Sequence, residues 1–308
     1  MKQNKEQQSD SATPQALGID TSNYTTSLAL YDREQVRQLK RLLSVKAGEL
    51  GLRQSDALFH HTVALPALLD ELVRGQNITA VGVSDRPRDV QGSYMPCFLA
   101  GVSVAQAIAS ALNIPLYTYS HQQGHLAAAL HSTGQLHLLE GEFLAWHVSG
   151  GTTELLHVRP GLQATCIGGT ADLNAGQLVD RVGAQIGLDF PAGPALDDLA
   201  QHGDHQRVRA SVNGMQMHLS GVENQCKQRE DSPENIARFC LAMITDAMMR
   251  ITQAASDLPL ICAGGVCCSQ VLREIFTASF PHALFAAPEF SADNAAGVAI
   301  LAEEGRIC

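Results

Sequence analysis

The hydrophobic and polar positions follow one grammar twice. Residues 17–20 are apolar up to an acid, residues 21–26 form a Thr/Ser/Asn turn, and residues 27–31 are apolar again. Residues 143–148, the turn Ser149-Gly150-Gly151-Thr152-Thr153 and residues 154–158 repeat it. Two strands around a polar turn predict a β-hairpin. Two such hairpins, far apart in one chain, predict a duplicated architecture. Longer runs carry helical periodicity. Residues 57–73 predict a helix interrupted at Pro66. Residues 96–112, small and apolar on most sides, predict a packing helix, and residues 236–255 a long apolar one. Residues 258–263 predict a buried strand. Gly264, Gly265 and a helix from about Ser269 follow it, a place where a nucleotide commonly docks.

Composition narrows the field. The chain has 308 residues, enough for about two domains. Its 45% hydrophobic and 17% charged residues exclude a disordered chain. A formal net charge of −10 argues against a lone basic nucleic-acid binder and leaves room for a basic partner. No apolar run is long enough to span a bilayer. Residues 1–15 are polar, without the apolar segment of a secretory signal, and are expected to form a disordered tail. Eight cysteines (97, 166, 226, 240, 262, 267, 268 and 308) contain no CxxC pair, so the expectation is buried thiols in a reducing cytoplasm.

The sharpest chemical signal is His121-Gln122-Gln123-Gly124-His125. On a helix, two histidines four apart share a face, and both imidazoles can reach one metal ion. A surface pair has the same spacing. Gln122 follows the first histidine, so the general-base Glu of an HExxH protease is missing. Asp293, in Ser291-Ala292-Asp293-Asn294-Ala295, is the candidate third ligand. Gly193 and Pro194 predict a tight turn into a helix. Asp197 is expected in the first turn of that helix, complementing its dipole. Asp197 and Asp180 each have a second reading, as carboxylates that hold a ligand hydroxyl.

The segments LGIDTSNYTTSLALYD, HQQGHLAAAL, VSGGTTELL, residues 175–200, MHLSG, AGGVCCSQVLR and SADNAAGVA, in this order, resemble the threonylcarbamoyladenosine synthase catalytic-subunit family, formerly called O-sialoglycoprotease-like. The resemblance spans residue 17 to about residue 301. It implies an α/β, two-lobed actin-like, sugar-kinase and Hsp70-type fold with duplicated mixed sheets. One lobe would comprise residues 16–133 with 286–308, the other residues 134–285. It implies transfer of threonylcarbamoyl from threonylcarbamoyl-AMP to a tRNA adenosine amine next to the anticodon. His121, His125 and Asp293 match the family's ligands for one divalent metal, iron or zinc. His147, Val148, Ser149, Gly150 and Gly151 match the loop that binds the phosphate and acyl region. Asp180, Gly193 and Asp197 match positions that contact an adenine nucleotide (threonylcarbamoyl-AMP, ATP or ADP), and the adenosine end falls near Gly264, Gly265 and Ser269. The implied partners are a paralogous actin-like subunit, a small ATPase and tRNA, in the cytoplasm and away from membranes.

The sequence departs from the family pattern at several positions. Asn23, Tyr24 and Thr25 replace a Cys and two acids in the first turn, Thr152 replaces His, Gln123 replaces Glu and Ser269 replaces Asn. These changes remove charge around the ligand. They keep two alternatives in view: a non-catalytic scaffold paralogue, and a small-molecule acyl or phosphoryl transferase of the same fold.

Overall fold

The computed structural model describes residues 13–22, 24–43 and 53–305. These fall into two compact units, Met1–Gly124 with Asp293–Cys308, and His125–Ala292.

The first unit is built on a five-stranded sheet. Its strands are β1 (Pro14–Asp20), β2 (Thr25–Tyr31), β3 (Val36–Leu42), β4 (Asn77–Arg86) and β5 (Leu116–Ser120), in the order β3-β2-β1-β4-β5. β1, β2 and β3 pair antiparallel, whereas β4 and β5 add parallel to β1. Helices α1 (Gln54–Val73) and α2 (Phe98–Leu112) provide the crossovers. The two-residue period of a strand sorts the packing. Leu17, Ile19, Leu28, Leu30, Val81 and Val83 point to α1 and α2, meeting Leu65, Leu68 and Ala105. The alternate positions carry almost no side chain. A Cβ on Gly18 or Gly82 would overlap the backbone of Ala295 or Val298, so these glycines admit the last helix of the chain, Ala296–Glu303, onto the opposite face.

Helix α3 (His121–Ser132) leads the chain into the second unit. There the strands are β6 (Phe143–Val148), β7 (Thr153–Arg159), β8 (Gln163–Thr170), β9 (Val212–Asn213), β10 (Gln216–Met217), β11 (Leu260–Ala263) and β12 (Leu284–Phe285). The sheet order is β12-β11-β6-β7-β8-β10-β9. β6, β7 and β8 pair antiparallel, and β11 and β12 add parallel to β6. The pattern of the first sheet is thereby repeated, and the chain has the actin-like, sugar-kinase architecture with two mixed sheets. Its helices are α4 (Ala175–Gln185), α5 (Gly193–Gln201), α6 (Ser220–Gln228), α7 (Pro233–Ala254), α8 (Gln270–Ser279) and the single turn α9 (Pro288–Ser291); the chain-terminal helix of the first unit is α10. The core joins Trp146, Leu155, Leu178, Leu196, Ile244 and Leu272 from sheet and helices.

Several expectations are corrected. β1 starts at Pro14, so residues 14 and 15 leave the expected tail and pair with Asn77 and Ile78; proline suits the first position of a strand because it has no ladder N–H to lose. Residues 1–12 lie outside the described residues. Pro66 does not interrupt α1. Pro66 and Thr62, whose carbonyl loses its usual donor, both lie on the exposed side, where water can satisfy that carbonyl. Cys97, Cys226, Cys240, Cys262 and Cys267 are buried, but Cys166 is exposed on β8, and Cys308 lies outside the described residues. Among the described residues no helix is long and apolar enough to cross a membrane.

Candidate functional site

The first cluster grows from the start of α3. Ser120 and Gln123 form a reciprocal capping box: the Gln123 amide donates to Ser120 Oγ (3.2 Å), and Ser120 N donates to Gln123 Oε1 (2.8 Å). This fixes where the helix begins and so places His121 at its first position, with His125 one turn later on the same side. Gln123 is buried, and its Nε2 has no hydrogen-bond partner among the described residues. The glutamine that replaces the family's acid therefore serves the helix end.

Asp20 lies at the carboxyl end of β1, next to Ser84 at that of the parallel β4, where α/β sheets usually bind ligands. It is fully buried. Ser22 N donates to its Oδ1 (2.9 Å), and Ser84 Oγ donates to its Oδ2 (2.5 Å). His121 Nδ1 sits 2.8 Å from the same Oδ2, and His121 Nε2 lies 3.5 Å from Asp293 Oδ1. Burial pushes the Asp20 pKa up, but His121 and the hydroxyl and amide donors outweigh it, and the carboxyl is held below its ordinary value. Burial likewise works against the charged imidazole of His121. The Asp20 and Asp293 carboxylates overcome that cost and raise its pKa well above the usual range.

A nitrogen of His121, a nitrogen of His125 and a carboxylate oxygen of Asp293 all lie within 4.8 Å of one another. Two imidazoles and one carboxylate are a donor set for iron(II) or zinc. The buried acid behind His121 fits the same purpose. A carboxylate on Nδ1 fixes the ring and leaves Nε2 facing Asp293, the arrangement typical of metal-bound histidine. A divalent cation would displace the proton from Nε2.

The second cluster is a cavity of about 490 Å³ in the second unit. Of the residues expected at a nucleotide site, Gly150, Asp180, Gly193, Asp197, Gly265 and Ser269 line it. His147, Val148, Ser149, Gly151 and Gly264 do not. Val148 is buried at the end of β6, and Gly264, at φ +101°, presses against its backbone, where a side chain would overlap the Val148 carbonyl. His147 lies on β6 itself, with its ring 5.0 Å from that of His125. The Ser149–Thr152 loop is closed by Ser149 N donating to Thr152 O (2.7 Å) and is docked on α4 by Gly176 N donating to Ser149 O (3.1 Å). A Cβ on Gly176 would sit only 2.6 Å from the Gly150 backbone.

Among the described residues, the cavity wall contains Asp180, Asp197 and Asp198 but no Lys, Arg or His. Such a lining suits the hydroxyls and amine of a nucleoside better than bare phosphate. Asp180 Oδ1 accepts from Ala192 N (2.9 Å), anchoring the loop before α5 on α4. Asp197 is not in the first turn of its own helix; it is the fifth residue of α5, and it caps α8. Ser269 Oγ donates to its Oδ1 (2.5 Å), Gln270 N to its Oδ2 (2.8 Å) and Val271 N to its Oδ1 (3.3 Å). Ser269 also accepts from Leu272 N (3.0 Å). The residue that replaces the family's Asn is therefore the N-cap of α8. Cys268 lines the same cavity, and burial pushes its thiol pKa up, which suits a neutral wall group rather than a nucleophile.

Sequence reasoning missed Ser84, Asp198 and the role of Asp172, which accepts from Leu173 N, Leu219 N, Ser220 N and Ser220 Oγ and so ties α6 to the end of β8. Ser120-x-x-Gln123 carried a readable capping-box signal; Asp172 carried none. Two other departures serve the backbone: Leu43 N donates to Tyr24 O (2.7 Å), and Thr25 opens β2. Asn23 lies outside the described residues.

A family model described as tRNA N6-adenosine threonylcarbamoyltransferase matches residues 50–300. Curated proteins of that description include one from Streptococcus suis (strain 05ZYH33), 29% identical over 93% of this chain and 90% of the relative, and one from Streptococcus pneumoniae (strain P1031), 30% identical over 92% and 90%. Among solved structures, component A of (R)-2-hydroxyglutaryl-CoA dehydratase from Acidaminococcus fermentans superposes with a TM-score of 0.56 at 13% identity, covering 95% of this chain and 98% of that one. A ROK family glucokinase from Streptomyces griseus, in complex with glucose and AMPPNP, gives 0.50 at 14% identity, covering 94% and 100%.

Proposed function

The chain belongs to the tRNA N6-adenosine threonylcarbamoyltransferase family, and on that premise we propose that it transfers threonylcarbamoyl from threonylcarbamoyl-AMP to the exocyclic amine of a tRNA adenosine next to the anticodon. The observation that carries this reading is the His121–His125–Asp293 set backed by buried Asp20, because a scaffold has no physical need for it. His121, His125 and Asp293 would hold one divalent ion, iron or zinc. Such an ion, when bound, supplies Lewis-acid polarisation of an acyl carbonyl.

The mixed anhydride arrives already activated, so no side chain has to act as a covalent nucleophile. The adenosine amine attacks the carbamoyl carbon, the bond from that carbon to the phosphate oxygen breaks, AMP leaves, and the amine proton is lost. The protein's part is to hold and orient the two reactants. The acidic wall formed by Asp180, Asp197 and Asp198 supports binding of the adenosine end of the adenylate. The backbone amides of Gly150 and Gly151 would face developing negative charge from a loop that Ser149 N closes on Thr152 O and that is docked on α4. A net charge of −10 supports tRNA binding together with partner subunits, which the family resemblance gives as a paralogous actin-like protein and a small ATPase.

The test is metal content and threonylcarbamoyl-AMP affinity of the purified chain, in wild type and His125→Ala. Stoichiometric metal and adenylate binding, both lost in the variant, are expected. A wild type that binds metal but ignores this adenylate overturns the assigned substrate.

A further inference from the structure

We infer that Phe190 is a stacking platform for an unpaired base of the tRNA, an inference that rests on the tRNA reading above. Its side chain is 83% exposed, the most of any large apolar residue among the described ones. Single exposed apolar residues are common on protein surfaces. Two features set this one apart, the stiffness of its loop and its position beside the acidic cavity.

The loop between α4 and α5 is tied down on both sides of Phe190. Before it, Gly187 N donates to Ala184 O (3.2 Å), Leu188 N donates to Gly183 O (2.9 Å), and the Leu188 side chain packs against the core of the second unit. After it, Ala192 N donates to Asp180 Oδ1 (2.9 Å), and Ala192 lies so close to α4 that a Cβ on Gly183 would overlap its own. A clamped backbone thus holds an unpacked ring in solvent. The next residue, Pro191, lines the acidic cavity, whereas Phe190 does not. The ring therefore stands at the rim, outside the space that would hold the adenosine end of the adenylate.

The surroundings select what covers it. Asp189 beside the ring is exposed, and the cavity wall adds Asp180 and Asp198. Carboxylates repel phosphates, but they accept from the exocyclic amines of bases. The part of a nucleic acid suited to this rim is therefore a base and not the backbone. Unpaired bases of RNA loops are recognised by stacking on aromatic side chains. A phenyl ring has no polar atom, so the contact tolerates any base.

The test is binding of an anticodon stem–loop RNA carrying the acceptor adenosine to the full-length chain with its partner subunits. Wild type, Phe190→Ala, Phe190→Leu and Phe190→Trp are compared over a range of salt concentrations. Affinity should fall at least about 5-fold in the Ala and Leu variants and hold in the Trp variant. Stacking neutralises no phosphate, so the slope of log affinity against log salt should be the same in all four. The exposed indole of Phe190→Trp should lose emission on binding the stem–loop and keep it with the same sequence closed into an uninterrupted duplex. Urea midpoints and threonylcarbamoyl-AMP affinity should not change. Wild-type RNA affinity in Phe190→Ala or Phe190→Leu, or an altered salt slope, overturns the stacking. Loss of adenylate affinity in Phe190→Ala assigns the ring to the adenylate instead, and self-association that the same variant abolishes assigns it to a second copy of the chain; either overturns the proposal. No RNA binding by wild type overturns the tRNA reading itself.

Discussion

Asp197 offers a direct measure of how the acidic cavity of the second unit is held together. It is buried, and it accepts three hydrogen bonds from the first turn of α8, one of them from the Ser269 hydroxyl. Bonds to a charged acceptor contribute about 1.5–3 kcal/mol each. Taking the lower figure, Asp197→Ala should cost about 4.5 kcal/mol, a large part of the usual 5–15 kcal/mol of a folded domain. Ser269→Ala removes the N-cap acceptor for Leu272 N as well as the donor to Asp197, at about 1–2 kcal/mol. The Ser269–Asp197 bond is lost in either single variant. The double variant should therefore fall short of the sum by about 1.5 kcal/mol.

The readout is already in the chain. Trp146, its single tryptophan, is fully buried in the same core as Leu196 of α5 and Leu272 of α8. Its fluorescence in a urea titration reports this unit, and at a slope near 2 kcal/mol per molar, Asp197→Ala should lower the midpoint by about 2 M. A midpoint that stays put in Asp197→Ala, or single effects that add to within about 0.3 kcal/mol, would refute the bracketing of α8 by Asp197.

Two further outcomes follow from other sites. Asp20→Asn should weaken zinc or iron binding about 10–100-fold while leaving three ligands in place; equal affinity in a folded variant, measured by chelator competition, removes Asp20 from the orientation of His121. Burial raises the Asp172 pKa, but the Ser220 hydroxyl and the amides of Leu219, Leu173 and Ser220 outweigh it and hold it below the ordinary value. The stabilisation it brings is thus fully present above about pH 3.9, the unfolded value, and is lost as pH falls through the lower folded one. Asp172→Asn should lower the Trp146 urea midpoint at neutral pH, with the gap to wild type narrowing under strong acid; a gap independent of pH contradicts the assignment.

What could be read from the residues depended on how local the information was. The His121/His125 spacing was legible because one helical turn sets it. The two hairpins were legible because each closes over a few residues, and the second sheet bears out the duplication they suggested. β3 was not read, since Val-Arg-Gln-Leu-Lys-Arg-Leu is a charged edge strand without clean alternation. β8 escaped for another reason: its paired glycines, Gly168 and Gly169, fit under Met215 and Thr153 only because they lack side chains. Asp197 was assigned to its own helix because local electrostatics favours an acid near a helix start. Its true partners are over seventy residues away, and no periodic signal connects them. Asp20 was visible as an acid ending a strand, but its engagement with His121 required the β1–β4 pairing and the placement of α3.

The sheet of the first unit is covered by a segment distant in sequence from most of its strands. α10 covers the glycine-lined face of β1 and β4, and Asp293 stands just before it, more than 160 residues beyond His125. On a ribosome, the two histidines emerge together while their carboxylate partner is still unsynthesised. A nascent or truncated chain that stops before residue 293 therefore lacks, at one stroke, the helix that seals its sheet and the anionic ligand. Capture of an ion through all three groups would certify that synthesis has passed residue 293 and reached the segment that covers this sheet.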